Sequence, residues 1–335
     1  MSLLKNYQEK YSQIFLNELN QSVRELFNDG LSDLKEIFDY HLGLNDSLEK
    51  QGKKVRPLLT LLCTEGCGGN WKSALPAAAA IELIHNFSLI HDDIEDKGFT
   101  RRSKQTVWVK WGLPKGINAG DAMFTSAFIV LNRLKDSVSS ETIIEAVELL
   151  SKTCFKLTVG QQLDIDFENR EKVAIHEYYE MISGKTAALL ACSAQMGALI
   201  AGLDKKNQLQ YSKFGKELGM AFQMYDDWLG VWGDPEITGK SASSDLIERK
   251  KSLPILMGLE KSKRFFTRWK EEPISPEEAP TISAWLSEDG VEESVIKEFN
   301  LWNQRALETL NSLRCDDNVK TALIEFANKL IIRKK

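Results

Sequence analysis

Proline is scarce in this chain, with eight in 335 residues, and runs of alternating β-branched residues are scarcer still. Both absences argue against sheets and leave long stretches free to be helical. Cysteine is sparse and odd in number, five with no CxxC pair. That excludes a disulfide scaffold and points to a reducing, cytoplasmic setting. Cys63 and Cys67 could share a helix face, but no Cys/His pair follows to complete a zinc site. Excess positive charge is also missing, since 43 Lys and Arg stand against 48 Asp and Glu. Without a basic stripe, nucleic acid is not an expected partner. The N-terminal stretch MSLLKNYQEKYSQIF has neither the apolar core of a signal peptide nor the Arg/Ser bias of a transit peptide. The longest apolar run, Thr186 to Gly202, is interrupted by Ser193 and Gln195. It reads as a buried helix, and no integral membrane segment is expected.

What the chain does have is helical periodicity. Apolar residues recur at i, i+3, i+4 and i+7 through 26–42, 58–66, 74–96, 118–134, 141–168, 176–202 and 210–233. The alanine-rich central segments are apolar on most sides and belong inside a bundle. Breaks are expected at Gly68-Gly69, Gly112 to Gly116, Asp204 to Asn207 and Gly233 to Gly239. The acidic, proline-rich stretch Glu271 to Pro280 reads as a surface loop. No internal repeat and no domain linker stand out, so the expectation is one all-α domain over residues 1–335, a helical bundle with a large core.

Chemistry concentrates in two acidic pairs. On a helix over Ile81 to Asp96, at about 100° per residue, His85, Asp92 and Asp96 fall within roughly 40° of one another. Asp93 lies beside them, and Leu83, Ile84, Phe87 and Ile90 occupy the other faces. Carboxylates at i, i+1 and i+4 suit an oxygen-rich magnesium site. A solvated helix end explains them as well, because acidic helix ends are common. The second pair, Asp226-Asp227, stands in the aromatic segment FQMYDDWLG with Gln223 one turn earlier. Charges are costly in such a helix, and no basic residue lies within one turn on either side. Bound cations would resolve that.

Each acidic pair is followed by a basic segment: Arg101-Arg102 after the first, and Lys240, Arg249, Lys250 and Lys251 after the second. Two acidic helices, each trailed by cations, supply what a metal-bridged diphosphate needs. Further polar groups enter apolar helices at Gln161 and Asp164 and at Lys185-Thr186. Lys53, Lys54 and Arg56 crowd a helix start, where a bound anion would offset their poor fit to the helix dipole.

In this order the motifs resemble the trans-isoprenyl diphosphate synthases of the polyprenyl synthetase family. The first DDxxD motif is Asp92-Asp93-Ile94-Glu95-Asp96, with the arginine pair after it. GKxxRP appears as Gly52 to Pro57, GQxxD as Gly160 to Asp164, KT as Lys185-Thr186, and the second motif within QMYDDWLG. The second motif departs from the pattern, since Gly230 stands where its third aspartate would be. Whether Asp234 or Asp245 compensates is open at this level. The likeness is strongest to bacterial short-chain synthases of the geranylgeranyl type.

The resemblance implies the all-α isoprenoid synthase bundle with a central cavity. It implies head-to-tail, 1′-4 condensation of isopentenyl diphosphate with an allylic diphosphate (dimethylallyl, geranyl or farnesyl). About three magnesium ions are implied, with Asp92, Asp96 and Asp226 as ligands and Asp93, Asp164 and Asp227 in support. It assigns Arg101, Lys185, Lys240 and Lys250 to the allylic diphosphate. Lys53, Arg56, His85 and Arg102 go to isopentenyl diphosphate, while Thr186 and Gln223 position the carbocation. Phe87 and Ser88, a turn before Asp92, would floor the product tunnel; the bulky Phe87 argues against very long products, although it also suits an ordinary core, and a C20 product is favoured with C15 as the alternative. A homodimer is implied. A class I terpene cyclase shares the bundle but leaves Lys53, Arg56 and Arg102 surplus, and a non-enzymatic scaffold has no reason to bury Asp226-Asp227.

Overall fold

The computed structural model describes residues 2–27, 32–46, 54–234 and 243–331. In chain order the helices are α1 (Leu3–Leu26), α2 (Ser32–Leu42), α3 (Val55–Gly66), α4 (Leu75–Glu95), α5 (Val107–Trp111), α6 (Leu113–Leu131), α7 (Ser140–Glu168) and α8 (Ile175–Ile182). They continue as α9 (Ala188–Ile200), α10 (Lys205–Trp232), α11 (Ser244–Ile247), α12 (Leu253–Lys261), α13 (Lys263–Trp269), α14 (Ala279–Glu288), α15 (Val291–Ser312) and α16 (Asp317–Ile331). The fold is all-α, as the periodicity demands. The one sheet among the described residues is a two-stranded hairpin, β1 (Thr100–Arg101) with β2 (Lys104–Gln105).

The chain groups into two compact units. The first comprises Met1–Cys154, Cys192–Ser212 and Leu313–Glu325; the second comprises Phe155–Ala191, Lys213–Ser312 and Phe326–Lys335. In the first unit, α4 packs along α6 and is flanked by α1 and α3. Helix α1 starts on Ser2, whose hydroxyl accepts the Lys5 amide, a standard N-terminal cap. Its buried stripe is Leu4, Tyr11, Phe15, Leu16, Leu19 and Val23. Helix α4 begins with Pro76 in its first turn, where the missing N–H costs nothing. Ala77 to Ala80 are all fully buried, and their small side chains let neighbouring helices come close. In the second unit, α12 packs on α13, α15 and α8, and α14 packs on α15.

Three sequence expectations are corrected. Gly116 lies inside α6, so the break is confined to Gly112, whose φ of +89° only glycine adopts readily. Residues 205–207 open α10 rather than interrupt the chain, because Asp204 caps that turn through the Asn207 amide. The helix expected over 176–202 is divided by a π-turn at Ser183–Ala187. Helix α1 and the helices after residue 279 carried no motif and went unremarked. Trp71–Glu95 is long and apolar enough to cross a membrane by length and composition, yet 78% of its most apolar window is buried within the fold. Core helices commonly pass that test.

Tyr11 is 2% exposed, packs beside Trp71 and donates to Glu65 at 2.7 Å. Tyr11→Ala is expected to cost about 3–5 kcal/mol as a cavity, and Tyr11→Phe only about 1 kcal/mol as a lost hydrogen bond. Denaturant midpoints at constant m-value measure both.

Candidate active site

The first acidic pair ends α4. Asp92 and Asp93 are its last-turn residues, and Asp96 is the C-cap, with its amide bonded to the Asp92 carbonyl. Asp92 and Asp96 are thus one turn apart, Asp92 half-buried and Asp96 exposed. Asp93 is 5% exposed and differs in kind. Arg101 Nε donates to both of its oxygens at 2.9 Å, and Arg101 Nη2 approaches at 2.8 Å. Burial pulls the Asp93 carboxyl upward, while the arginine pulls it down. The same guanidinium stands 3.7 Å from Asp92.

Arg101 is delivered by the β1–β2 hairpin, which the helical periodicity did not announce. Its two-residue turn is Arg102-Ser103, both left-handed at φ +53° and +61°. A type I′ hairpin turn requires that conformation at both central positions. Neither residue is glycine, so the turn carries strain of about 1–2 kcal/mol per residue. Phe99 and Thr106 close the hairpin base, with the Thr106 amide on the Phe99 carbonyl at 3.1 Å.

The same unit holds a basic cluster. Arg56 and His85 are half-buried, as is Lys54, which pairs at 3.0 Å with the buried Glu82. Burial lowers the Arg56 guanidinium to about 10, and its Nε finds no partner among the described residues. Burial, then Arg56, Arg102 and Lys54, push His85 well below the usual histidine range. It is therefore a neutral imidazole at pH 7 rather than a cation. Ser88 donates to the His85 carbonyl at 2.8 Å. Phe87 lies edge-on to Phe124, with centroids 5.1 Å apart, and Phe124 meets Phe128 in turn. The half-buried Phe87 thus belongs to an aromatic row along α4 and α6.

In the second unit, Asp227 repeats the pattern of Asp93. It is 7% exposed and accepts from Tyr178 Oη at 2.6 Å, Gln223 Nε2 at 2.8 Å and the Leu253 amide at 3.1 Å. Burial and the nearby Asp245 raise its carboxyl above the ordinary range. These three hydrogen bonds offset part of the cost of burying it. Asp226, one residue earlier, is half-buried. Thr186 donates to Gln223 Oε1 at 2.6 Å, so Thr186, Gln223, Asp227 and Tyr178 form one chain of hydrogen bonds.

Lys185 sits in the π-turn and reaches Asp164 on α7 at 2.5 Å. Gly160 permits this approach. A Cβ there would lie 2.1 Å from the Lys185 nitrogen and 2.6 Å from the Gly184 carbonyl carbon. Single π-turns inside helices are commonly found at functional positions. Lys250 pairs with Glu248 at 3.2 Å on the surface. Lys53 and Lys240 lie outside the described residues, as does Gly52.

Gly230 is explained by its surroundings. A Cβ there would fall 2.5–2.6 Å from all three carboxyl atoms of Asp245. Asp245 is 7% exposed and fills that space itself. Asp234, the other residue considered, is exposed.

Among the described residues no three His, Cys, Asp or Glu side chains already converge on one point. The donor set still suits magnesium, which takes one or two carboxylates plus substrate phosphate oxygens rather than a ready protein cage. Asp92, Asp96 and Asp226 are hard oxygen donors that remain at least partly accessible. Tyr178 is not among the residues the sequence singles out, whereas Lys54 and Asp245 stand among them without an assigned role. Lys54 stands within a motif, while the separation of 49 positions between Tyr178 and Asp227 leaves no local sequence signal for their contact.

Gly230→Ala is expected to cost about 1–3 kcal/mol through overpacking. Adding Asp245→Ala should return most of that, which a double-mutant cycle of thermal melts would test.

A family model described as polyprenyl synthetase matches residues 40–280. The geranylgeranyl diphosphate synthase of Methanosarcina mazei is 38% identical over 282 residues, 84% of this chain and 86% of that protein. A crystal structure of a geranylgeranyl pyrophosphate synthase covers both chains fully, with a TM-score of 0.89 and 33% identity. Another, from Corynebacterium glutamicum complexed with isoprenyl diphosphate and magnesium, has a TM-score of 0.85 at 26% identity, covering 97% of this chain and 99% of that one. Aspartate pairs, cation clusters and a full-length all-α match agree: the chain belongs to the polyprenyl synthetase family and is a prenyltransferase.

Proposed function

We propose that this prenyltransferase condenses isopentenyl diphosphate with an allylic diphosphate, head to tail, and releases geranylgeranyl diphosphate. The observation that carries the reading is the division within each aspartate pair. Asp93 and Asp227 are enclosed by protein donors, while Asp92 and Asp226 keep access to solvent. A pair that served structure alone has no need of the accessible member. The names of the similar proteins support the C20 product, and the Corynebacterium complex supports magnesium.

Asp92, Asp96 and Asp226 are the residues we assign to metal, about three ions in all. Magnesium held there supplies positive charge to the departing diphosphate. In the reaction the allylic C1–O bond breaks, and the isopentenyl double bond attacks C1 through its terminal carbon. That leaves a cation at C3 of the isopentenyl unit, and its C2 then loses a proton to the released diphosphate, forming the new C2–C3 double bond. Asp93 holds Arg101 at the mouth of the first motif, where its remaining N–H groups can take phosphate oxygen. Lys185, now on Asp164, and Lys240 and Lys250 are assigned to the same diphosphate. Thr186 and Gln223, linked at 2.6 Å, present oxygen dipoles toward developing positive charge. Lys53, Arg56, His85 and Arg102 are assigned to isopentenyl diphosphate, with His85 neutral. Phe87 and Ser88 are assigned to the tunnel floor. Apolar helix faces exclude the water that would quench the cation.

We further propose one prenyl synthase domain over residues 1–335, since the family match runs through segments of both units. A homodimer is supported by Leu113 and Ile117, 48% and 44% exposed one turn apart on α6. Five free thiols support a cytoplasmic setting.

Product analysis with magnesium, isopentenyl diphosphate and each of the C5, C10 and C15 primers is expected to give C20; accumulation of C15 would overturn the assignment. Asp92→Ala should lower turnover by about 100-fold or more, with Glu95→Ala within a few-fold of wild type. Phe87→Ala should lengthen the product, and an unchanged product would remove Phe87 from the floor.

A further inference from the structure

A cavity of about 340 Å³ opens in the first unit between α2 and the β1–β2 hairpin. Its charged lining is Asp46, Asp93, Arg101, Arg102 and Lys104, with His41 among them. Most of this charge is already matched. Lys104 pairs with Asp46 at 2.5 Å, and Arg101 is forked onto Asp93. Arg102 is exposed and has no carboxylate within ion-pair reach among the described residues. His41 Nε2 is buried and has no hydrogen-bond partner among the described residues.

The state of the His41 ring follows from its neighbours. It hydrogen-bonds the backbone of Asn86, and burial together with Arg102, Arg101 and Lys54 lowers its pKa to about 3. The ring is therefore neutral, and the bond to Asn86 uses the other nitrogen. Nε2 is left as a bare lone pair inside a lining rich in cations. Of those cations Arg102 acts on it most strongly. Arg102 also occupies a left-handed turn position at φ +53°, and backbone strain in a non-glycine residue tends to mark function.

We propose that His41 is a positioning residue for Arg102: its neutral Nε2 accepts an N–H of the guanidinium and aims the remaining fork at the diphosphate of isopentenyl diphosphate. The inference rests on the assignment of Arg102 to that substrate. Arginine has five N–H donors in a planar fork, so one can be held while two grip phosphate. A carboxylate in the place of His41 would neutralise Arg102 and repel the incoming anion. An uncharged lone pair orients the guanidinium without spending its charge. The other groups nearby do not compete, since Lys54 is held by Glu82 and His85 is itself neutral.

The test uses the full-length enzyme with His41→Leu, His41→Gln, Arg102→Ala and the Leu/Ala double variant. Calorimetric binding of isopentenyl diphosphate without metal, and separate KM values for it and for geranyl diphosphate, are the readouts. His41→Leu should weaken isopentenyl diphosphate binding about tenfold and leave the allylic KM within about twofold. The Gln variant, whose amide oxygen accepts, should recover most of the loss, and His41→Leu should add nothing once Arg102 is alanine. Unchanged binding in His41→Leu, or an equal further loss in the double variant, overturns the proposal. Unchanged binding in Arg102→Ala overturns the substrate assignment beneath it as well. Nitrogen-15 shifts of His41 in the wild-type protein give an answer independent of any variant's folding. On adding isopentenyl diphosphate the ring should stay neutral with Nε2 shifted as an acceptor, whereas conversion to imidazolium would sink the idea.

Discussion

Asp93 and Asp227 are 5% and 7% exposed, and a carboxylate so far from water has to be met by donors at close range. Much of the site's architecture answers that demand. A guanidinium on a strained hairpin meets Asp93. A tyrosine, a glutamine and a helix-start amide meet Asp227. In each pair the buried aspartate is an anchor, and its neighbour, one residue earlier, stays partly accessible. Asp93 holds Arg101, and Asp227 holds Gln223.

Other parts of the site rest on backbone rather than on charge. The π-turn at Ser183–Ala187 widens the helix where Lys185 and Thr186 are needed, and Gly160 lets α7 come against it. The left-handed pair Arg102-Ser103 turns the chain within two residues, so adjacent arginines receive different tasks. Arg101 is drawn onto Asp93, while Arg102 stays exposed beside the cavity. Gly230 and Asp245 show steric exchange, one residue giving up its side chain where the other places a carboxylate.

Helical class, the ends of α4 and the ordering of the motifs were legible because they are local. Periodicity of 3.6 residues is written in adjacent turns, and Asp92 and Asp96 share a face by spacing alone. The N-terminal helix and those after residue 279 form just as regularly, but carry no chemistry to single them out. The hairpin at 100–105 was hidden because its turn residues are not the glycine or asparagine that usually announce one.

What the sequence determined by itself is the inventory: two aspartate pairs, the cations that follow them, and helices apolar enough to bury one member of each pair. What only the tertiary structure decided is which member is buried, that His85 is neutral, and that Asp245 stands against Gly230. Those outcomes depend on desolvation and on contacts between residues far apart in the chain. Tyr178 lies 49 positions from Asp227, and Arg101 reaches back across a turn to Asp93. Spacing along a helix cannot report such contacts, because they are made when apolar faces pack and carry polar groups out of water.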